Sequence, residues 1–184
     1  MEKKKLLVVV DMQNDFVTGV LGTKEAQAIV EPMAEYIKNF DGDIIFTYDT
    51  HDKAYLDTLE GKKLPVPHCI RGSEGWQLVD AISNATVGKN CTRIEKGIFG
   101  SSTLAEQLRK GSHFHGSPNS EDEYSEIQFC GVCTGICVIS NAIIARTFAW
   151  NTPIKVIERL CACVTPESHK TAIEAMRTCQ VDII

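Results

Sequence analysis

The sequence lacks an excess of positive charge and any long apolar run. Its 19 lysine and arginine residues are outnumbered by 24 aspartate and glutamate residues, which gives a net charge of −5 at pH 7. Without a basic face to neutralise phosphates, nucleic acid is not an expected partner. The longest strongly apolar run, Leu6–Val10, is far too short to cross a bilayer, so we expect no membrane partner either.

The amino terminus also lacks the features of a secretory leader. The lysine-rich start, Met1–Lys5, precedes an apolar stretch that is soon interrupted by Asp11 and its polar neighbours, and no small-residue cleavage site follows. We therefore expect a cytoplasmic protein. The 184 residues contain no internal repeat and no linker, which predicts a single domain over residues 1–184.

Cysteine, in contrast, is abundant. The eight cysteines are Cys69, Cys91, Cys130, Cys133, Cys137, Cys161, Cys163 and Cys179. Thiols stay reduced in the cytoplasm, so a disulfide framework is the weaker interpretation. We expect most of these residues to be buried thiols and one or two at most to be chemically active.

Segments with strand and helix character alternate along the chain. Leu6–Val10 is rich in β-branched residues, which favours a strand buried on both faces of a parallel sheet. The other predicted strands are Ile44–Thr47, Asn90–Lys96, Glu126–Val132, Ile154–Ile157 and Val181–Ile184. The predicted helices are Glu25–Asn39, Leu78–Ile82, a segment beginning at Ser101, Thr134–Trp150 and Glu167–Thr178, with loops at Gly61–Gly75 and His113–Ser125. The alternation predicts an α/β fold, a three-layer doubly wound sandwich with a mostly parallel central sheet.

Ligands of such sheets bind beyond the carboxyl ends of the strands, so the residues at those ends are the candidates for chemistry. Asp11 ends the first predicted strand and Lys96 the third, while Cys133 and Cys137 follow the fourth. Asp11 is either a turn cap or a general base that accepts a thiol proton. On composition alone, Lys96 is more often a surface lysine.

Cys137 lies near the start of a predicted helix, where the helix macrodipole favours a thiolate. We expect this helix end and the charge of Lys96 to lower its pKa. The glycines of the preceding turn allow backbone N–H groups to form an oxyanion hole. A buried core cysteine fits the position equally well, and Cys133 is a rival nucleophile. The pair Cys130-x-x-Cys133 also leaves a redox or zinc site open, although no second such pair accompanies it.

A second group of residues offers metal ligands. Asp49 and His51 lie on one face of an extended segment, and Glu60 and His68 follow in the next loop. Carboxylate and imidazole groups suit a divalent ion such as zinc, iron or manganese. The other histidines, His113, His115 and His169, have polar neighbours and are expected to be solvated, although the first two could bind a metal adventitiously.

Motifs over nearly the whole chain resemble, in the same order, those of the isochorismatase-like cysteine hydrolase family, most closely its nicotinamidase branch. They are Asp11–Phe16 (DMQNDF), Asp49-x-His51 with His68–Gly75 (HCIRGSEG), Lys96–Ser101 (KGIFGS) and Gly131–Val138 (GVCTGICV). Each motif alone is weakly specific, whereas four in order make chance similarity improbable.

The resemblance implies a cysteine-dependent amidohydrolase that converts nicotinamide to nicotinate and ammonia through a thioester. In that scheme Asp11 is the base, Lys96 favours the ionised groups, and Cys137 is the nucleophile. The backbone N–H groups of Cys133 and Cys137 form the oxyanion hole, and the Val132–Cys133 peptide is cis.

The resemblance also implies a metal ion, zinc foremost, held by Asp49, His51 and His68, with Glu60 as a further ligand in some members. Phe16 and Phe99 are expected to line the pocket for the substrate ring. The partner is then a small-molecule amide, and family members suggest a homo-oligomer.

Two departures from the nicotinamidase pattern keep other functions open. Thr50 and Pro65 stand where nicotinamidases usually carry aromatic residues, which favours an amidase acting on a carbamoyl or ureido compound. An isochorismatase-type vinyl-ether hydrolase needs no cysteine nucleophile, so the presence of Cys137 disfavours it. The last alternative is a non-catalytic binding protein that kept the fold.

Overall fold

The computed structural model describes residues 3–111 and 124–184, and six strands in them form one sheet. The strands are β1 (Lys4–Val10), β2 (Asp43–Asp49), β3 (Cys91–Lys96), β4 (Tyr124–Val132), β5 (Ile154–Ala162) and β6 (Asp182–Ile183). Their spatial order is β3-β2-β1-β4-β5-β6, and every neighbouring pair is parallel. The predicted α/β sandwich is confirmed, with a sheet that is wholly rather than mostly parallel.

Helices connect the strands along the described chain. They are α1 (Asn14–Val17), α2 (Lys24–Ala28), α3 (Val30–Asn39), α4 (Leu59–Lys63), α5 (Asp80–Asn84), α6 (Ser102–Gly111), α7 (Ile139–Phe148) and α8 (Pro166–Thr178). Helix α3 packs with α5, while α6 and α8 both pack with α7. The chain runs from β1 outward to β3, and β4 then lies on the other side of β1. Because the crossovers are right-handed, α3 and α5 lie on one face of the sheet and α6, α7 and α8 on the other. The reversal between β1 and β4 is where a doubly wound sheet binds its ligand.

The centre of the sheet is built as the sequence predicts. All five residues of Leu6–Val10 are fully buried in β1, between β2 and β4. Each such aliphatic side chain contributes about 1.5–3 kcal/mol through its removal from water. This strand therefore holds the residue that follows it, Asp11, in a fixed place.

Several element boundaries differ from the predictions. The helix predicted over Glu25–Asn39 is divided into α2 and α3, with Ile29 between them, and β5 continues to Ala162 rather than ending at Ile157. The predicted loop Gly61–Gly75 begins inside α4, because the Thr58 hydroxyl accepts a hydrogen bond from the Gly61 N–H and caps that helix. At Gly61 a β-carbon would collide with the Tyr55 backbone, so glycine permits this close turn.

The segment after β4 and the second predicted loop also differ. Thr134–Val138 forms a π-helical turn before α7 begins, whereas one continuous helix was predicted over Thr134–Trp150. Of the predicted loop His113–Ser125, residues 113–123 lie outside the described residues and Ser125 lies in β4. In residues 3–111 and 124–184, no helix has the length and apolar character needed to span a bilayer.

Candidate active site

Asp11, Lys96 and Cys137 come together at the carboxyl edge of the sheet. The Lys96 Nζ lies 2.7 Å from Asp11 Oδ2 and 3.5 Å from Cys137 Sγ. The Asp11 side chain is fully buried and that of Lys96 is 2% exposed, so a lysine that composition alone would place at the surface is enclosed beside Asp11. A charged lysine at such depth needs a carboxylate partner, and Asp11 supplies it.

The two carboxylate oxygens of Asp11 have different surroundings. Oδ1 accepts a hydrogen bond of 2.6 Å from the Thr47 hydroxyl on β2. Oδ2 is buried and receives no hydrogen bond of good geometry from the described residues, so the nearby Lys96 charge is its main compensation. The sequence did not indicate Thr47, because no local pattern marks a threonine in the middle of a strand as a partner of a distant aspartate.

The pKa of Cys137 is shifted in the direction opposite to the one expected from the sequence. Burial raises the pKa of this thiol well above its ordinary value, and the charge of Asp11 adds to the increase, while Lys96 opposes it. Burial also raises the pKa of Asp11, again against the charge of Lys96. The expected low-pKa thiolate was wrong because a helix end is a weak influence compared with loss of solvent and an adjacent carboxylate. Both shifts favour the protonated form, in the thiol and in the neighbouring carboxyl group alike.

The turn that carries Cys137 is held by the strands and helices around it. Gly131 has a φ of +121°, and a β-carbon there would collide with the Val10 carbonyl, so only glycine lets β4 approach β1 this closely. The Val132–Cys133 peptide is cis, as the resemblance implied. Asn141 on α7 donates a 2.8 Å hydrogen bond to the Cys137 carbonyl and was not identified from the sequence.

The four candidate metal ligands form a second cluster beside the first. Ligand atoms of Asp49, His51, Glu60 and His68 all lie within 4.8 Å of one another. Asp49 Oδ2 is 2.9 Å from His51 Nε2 and 3.2 Å from His68 Nε2. Lys96 Nζ is 3.4 Å from the other oxygen of Asp49, which places the two clusters in one continuous site.

The chemistry of this cluster fits a divalent cation. Glu60 Oε2 is buried and has no hydrogen-bond partner within the described parts of the chain, as expected for an oxygen that faces a cation. His68 Nδ1 is 2.8 Å from the Val66 carbonyl, to which it donates, so Nε2 is left free to bind an ion. Burial acts to raise the pKa of Asp49, but the adjacent imidazoles of His51 and His68 and the charge of Lys96 outweigh it and lower the pKa, which favours the ionised carboxylate.

Two buried side chains that sequence reasoning missed hold this cluster in place. The Gln13 side chain accepts a hydrogen bond from the Asp49 N–H and donates to the carbonyls of Asp49 and Trp76. The Trp76 indole donates a 2.9 Å hydrogen bond to the Thr50 hydroxyl. Thr50 therefore faces Trp76, which explains how a small residue fits between the ligands Asp49 and His51.

The two predicted ring-binding residues differ in their placement. Phe16 is half-buried, and its ring centroid lies 5.4 Å from that of His68, edge-on, so it borders the metal cluster. Phe99 is 41% exposed, and its carbonyl accepts a hydrogen bond from Asn141. Phe16 therefore lies against the metal-ligand cluster, whereas the contact of Phe99 is made by its backbone carbonyl with Asn141, a residue that also bonds to the Cys137 carbonyl.

Among the described residues, the remaining cysteine side chains and His169 take no part in either cluster. All eight cysteines are free thiols, which confirms that no disulfide framework is present. The metal-like grouping in the described residues includes neither Cys130 nor Cys133, which disfavours a zinc site at that pair. His113 and His115 lie outside the described residues. His169 was expected to be solvated, but its Nδ1 lies 2.8 Å from the hydroxyl of buried Thr134.

The chain is similar to known proteins over nearly its whole length. The model of the isochorismatase domain family matches residues 5–184. A nicotinamidase of Saccharomyces cerevisiae is 26% identical over 82% of this chain and 85% of its own. The crystal structure of a Bacillus subtilis nicotinamidase/pyrazinamidase is 26% identical, with 98% of each chain covered and a TM-score of 0.78. That of a Pyrococcus horikoshii pyrazinamidase in complex with zinc is 22% identical, with 98% of each chain covered and a TM-score of 0.74. The chain belongs to the isochorismatase domain family.

Proposed function

We propose that the protein hydrolyses nicotinamide to nicotinate and ammonia, with Cys137 as the nucleophile. The observation that carries the proposal is the buried arrangement in which one ammonium, that of Lys96, lies 2.7 Å from a carboxylate and 3.5 Å from a thiol. A carboxylate base beside a thiol is the arrangement that activates a nucleophile for acyl transfer. The nicotinamidase names of the relatives support nicotinamide as the substrate.

The first half of the reaction forms the acyl enzyme. Asp11 Oδ2 accepts the thiol proton of Cys137 while the sulfur attacks the amide carbonyl carbon. The backbone N–H groups of Cys133 and Cys137 stabilise the resulting oxyanion. Lys96 remains positively charged beside the sulfur when Asp11 becomes neutral. Asp11 then returns its proton to the amide nitrogen, which leaves as ammonia and gives a thioester.

The second half releases the acid. Asp11, again a carboxylate, accepts a proton from a water molecule that attacks the thioester carbonyl. The same two N–H groups hold the second oxyanion. When that intermediate collapses, the carbon–sulfur bond breaks, Asp11 reprotonates the sulfur of Cys137, and nicotinate is released.

Asp49, His51, His68 and Glu60 would hold a divalent ion, which supplies a Lewis acid able to anchor the pyridine nitrogen. We infer zinc, with iron or manganese compatible with the same ligands. The unsatisfied buried oxygen of Glu60 and the zinc complex of the Pyrococcus horikoshii pyrazinamidase support this inference. Phe16, which borders His68, would contact one face or edge of the substrate ring, and Phe99 would contribute at the exposed rim.

Three further inferences complete the proposal. Residues 1–184 form one hydrolase domain, since the family match extends over residues 5–184. The protein is a cytoplasmic enzyme of small-molecule metabolism. It assembles as a homo-oligomer, as the resemblance to the family implies.

One observation favours a second substrate class. Thr50 is hydrogen-bonded to Trp76 and Pro65 is exposed, so neither position supplies the aromatic side chain usual in nicotinamidases. A pocket with less aromatic surface accommodates a carbamoyl or ureido compound, whose amide carbon has no ring attached. The nucleophile and the base would act in the same way on either substrate.

Ammonia release decides between these functions. The purified protein is incubated with nicotinamide and, separately, with a panel of carbamoyl and ureido compounds. We expect ammonia from nicotinamide and its loss in Cys137→Ala, whereas Cys179→Ala, which removes an exposed thiol outside the site, keeps the activity. No ammonia from nicotinamide would exclude the leading function, and activity that survives Cys137→Ala would exclude the covalent mechanism. Verified metal removal should raise KM for nicotinamide; an unchanged KM would exclude the anchoring role.

A further inference from the structure

A chain of polar groups behind the nucleophile turn has no part in the mechanism above. The Thr134 hydroxyl lies 2.8 Å from His169 Nδ1, and His169 Nε2 lies 3.8 Å from a Glu158 carboxylate oxygen. Thr134 immediately follows Cys133, whose N–H is assigned to the oxyanion hole, whereas His169 belongs to α8 and Glu158 to β5. The chain thus connects the turn to two separate elements of the fold.

The arrangement resembles a hydroxyl–imidazole–carboxylate triad, but its geometry excludes a second nucleophile. Thr134 is fully buried, and its hydroxyl faces α8 rather than the cavity of Asp11, Lys96 and Cys137. A hydroxyl without access to substrate cannot attack it. The function of these groups must therefore act through the backbone of the turn.

His169 joins the turn to the outer elements through the two sides of its ring. Nε2 lies 3.8 Å from the carboxylate of Glu158, which is also 3.9 Å from Arg177. On the other side, one hydrogen bond connects Nδ1 with the Thr134 hydroxyl. Within the described residues this is the one hydrogen bond of that hydroxyl, and a buried hydroxyl that loses its partner is driven to move until it finds another.

We propose that Thr134 and His169 are positioning residues that set the oxyanion hole. Neither touches substrate; together they hold Thr134 in place and thereby restrict the backbone of the adjacent Cys133, which carries the N–H. A second contact holds the next residue of the turn, where the Gly135 N–H donates to Cys163 Sγ at 3.4 Å. The turn is thus tied both to α8 and to the residue that follows β5.

The inference rests on the proposed function, because it concerns the N–H group that holds the developing oxyanion. An oxyanion hole acts more strongly on the transition state than on bound substrate. Misplacing one donor therefore lowers kcat and leaves KM nearly unchanged. A residue needed only for the stability of the fold would not produce this separation in the folded fraction.

Four variants test the proposal by steady-state hydrolysis of nicotinamide. His169→Gln places its amide near the former Nε2 and leaves Thr134 without a partner, whereas His169→Asn places an oxygen near the former Nδ1. Thr134→Val removes the hydroxyl at nearly constant volume, and Thr134→Val with His169→Gln removes both partners. Thr171→Val is the matched control, since it removes an exposed hydroxyl that bonds within α8.

We expect His169→Gln and Thr134→Val each to lower kcat about 10-fold with KM within about twofold of the parent. The double variant should be no worse than the poorer single variant, because both changes break the same contact. His169→Asn should recover most of kcat, and Thr171→Val should keep it. An unchanged kcat in folded His169→Gln, multiplying effects in the double variant, or no recovery in His169→Asn would each overturn the proposal. If circular dichroism shows that His169→Gln does not fold, the kcat values of Thr134→Val, expected to be lowered, and of His169→Asn, expected to be near that of the parent, decide.

Hydrolysis of p-nitrophenyl acetate separates failure of this inference from failure of the proposed function. Absence of ammonia from nicotinamide in the parent protein would disprove the nicotinamidase assignment alone. The same kcat pattern should then appear with the ester, after subtraction of the rate of Cys137→Ala. Ester hydrolysis by the parent at the level of Cys137→Ala would overturn the positioning role as well, since no acyl transfer would remain to be positioned.

Discussion

Replacement of Lys96 by methionine should destabilise the protein strongly, because it leaves buried carboxylates without their shared cation. Lys96 Nζ is 2.7 Å from Asp11 and 3.4 Å from Asp49, and the side chains involved are at most 5% exposed. Removing one partner of a buried ion pair costs about 3–5 kcal/mol. The free energy of unfolding of a domain is about 5–15 kcal/mol, so the change removes a large part of it.

The size of the effect can be measured by urea unfolding. With a dependence on urea of about 1–3 kcal/mol per M, near the upper end for a chain of this size, a loss of about 4 kcal/mol lowers the midpoint by roughly 1–2 M. Asp11→Asn should cost less than Lys96→Met, because Lys96 keeps Asp49 as a partner. The measurement is made on metal-free protein, so that ion binding does not contribute.

A double-mutant cycle isolates the interaction. In the variant that combines Asp11→Asn with Lys96→Met, the buried carboxylate of Asp11 is gone, so its loss of stability should be smaller than the sum of the two single losses by about 2 kcal/mol or more. Single losses that simply add, or a Lys96→Met variant within about 1 kcal/mol of the parent, would refute the conclusion that this pair is a desolvated ion pair.

Three other predictions follow from the site. Because burial raises the pKa of Cys137, iodoacetamide should label exposed Cys179 first at neutral pH, and the labelling rate of Cys137 should keep rising as pH increases past the ordinary thiol range. Mass spectrometry of the labelled peptides measures the order, and labelling of Cys137 before Cys179 would contradict the prediction. Glu60→Gln should weaken zinc binding about 10-fold in competition with a chromophoric chelator, and equal affinity would place Glu60 outside the ligand set. Gly131→Ala should destabilise the fold by about 3 kcal/mol or more, since the added β-carbon would collide with the Val10 carbonyl at a φ of +121°. A thermal unfolding midpoint equal to that of the parent would contradict the close approach of β4 to β1.

The parts of the site that follow a strand could be predicted from the sequence. Asp11 ends the apolar run of β1, and Lys96 ends β3. The Cys133–Cys137 segment follows β4. Because parallel strands bring their carboxyl ends to one edge, position along the chain was sufficient to place these residues together. Asp49 ends β2 in the same way, whereas the other candidate metal ligands, His51, Glu60 and His68, lie in the segment after β2 and were indicated by their residue types and by the resemblance to the family.

The residues that hold this site could not be predicted in the same way. These residues are polar, and each has a partner far along the chain, so their roles depend on the assembled fold; they are Gln13, Thr47, Asn141 and His169. Nothing in their local sequence distinguishes them from solvated residues. The direction in which the pKa of Cys137 is shifted could not be predicted for a related reason, since it depends on burial and on the charge of nearby Asp11.

The raised pKa of Cys137 is compatible with a nucleophile because the proton has a short path to another buried group. A low thiol pKa is an advantage when the thiolate must persist in contact with water. In the proposed mechanism the proton moves from the sulfur to Asp11, whose pKa burial raises in the same direction, so the difference between the two pKa values matters more than either value. Thr47 engages one oxygen of Asp11 and leaves the other for the proton, while Lys96 faces both groups and stabilises whichever of them carries the negative charge. The thiolate therefore needs to exist only while it attacks, which also protects it from alkylation and oxidation in the resting enzyme.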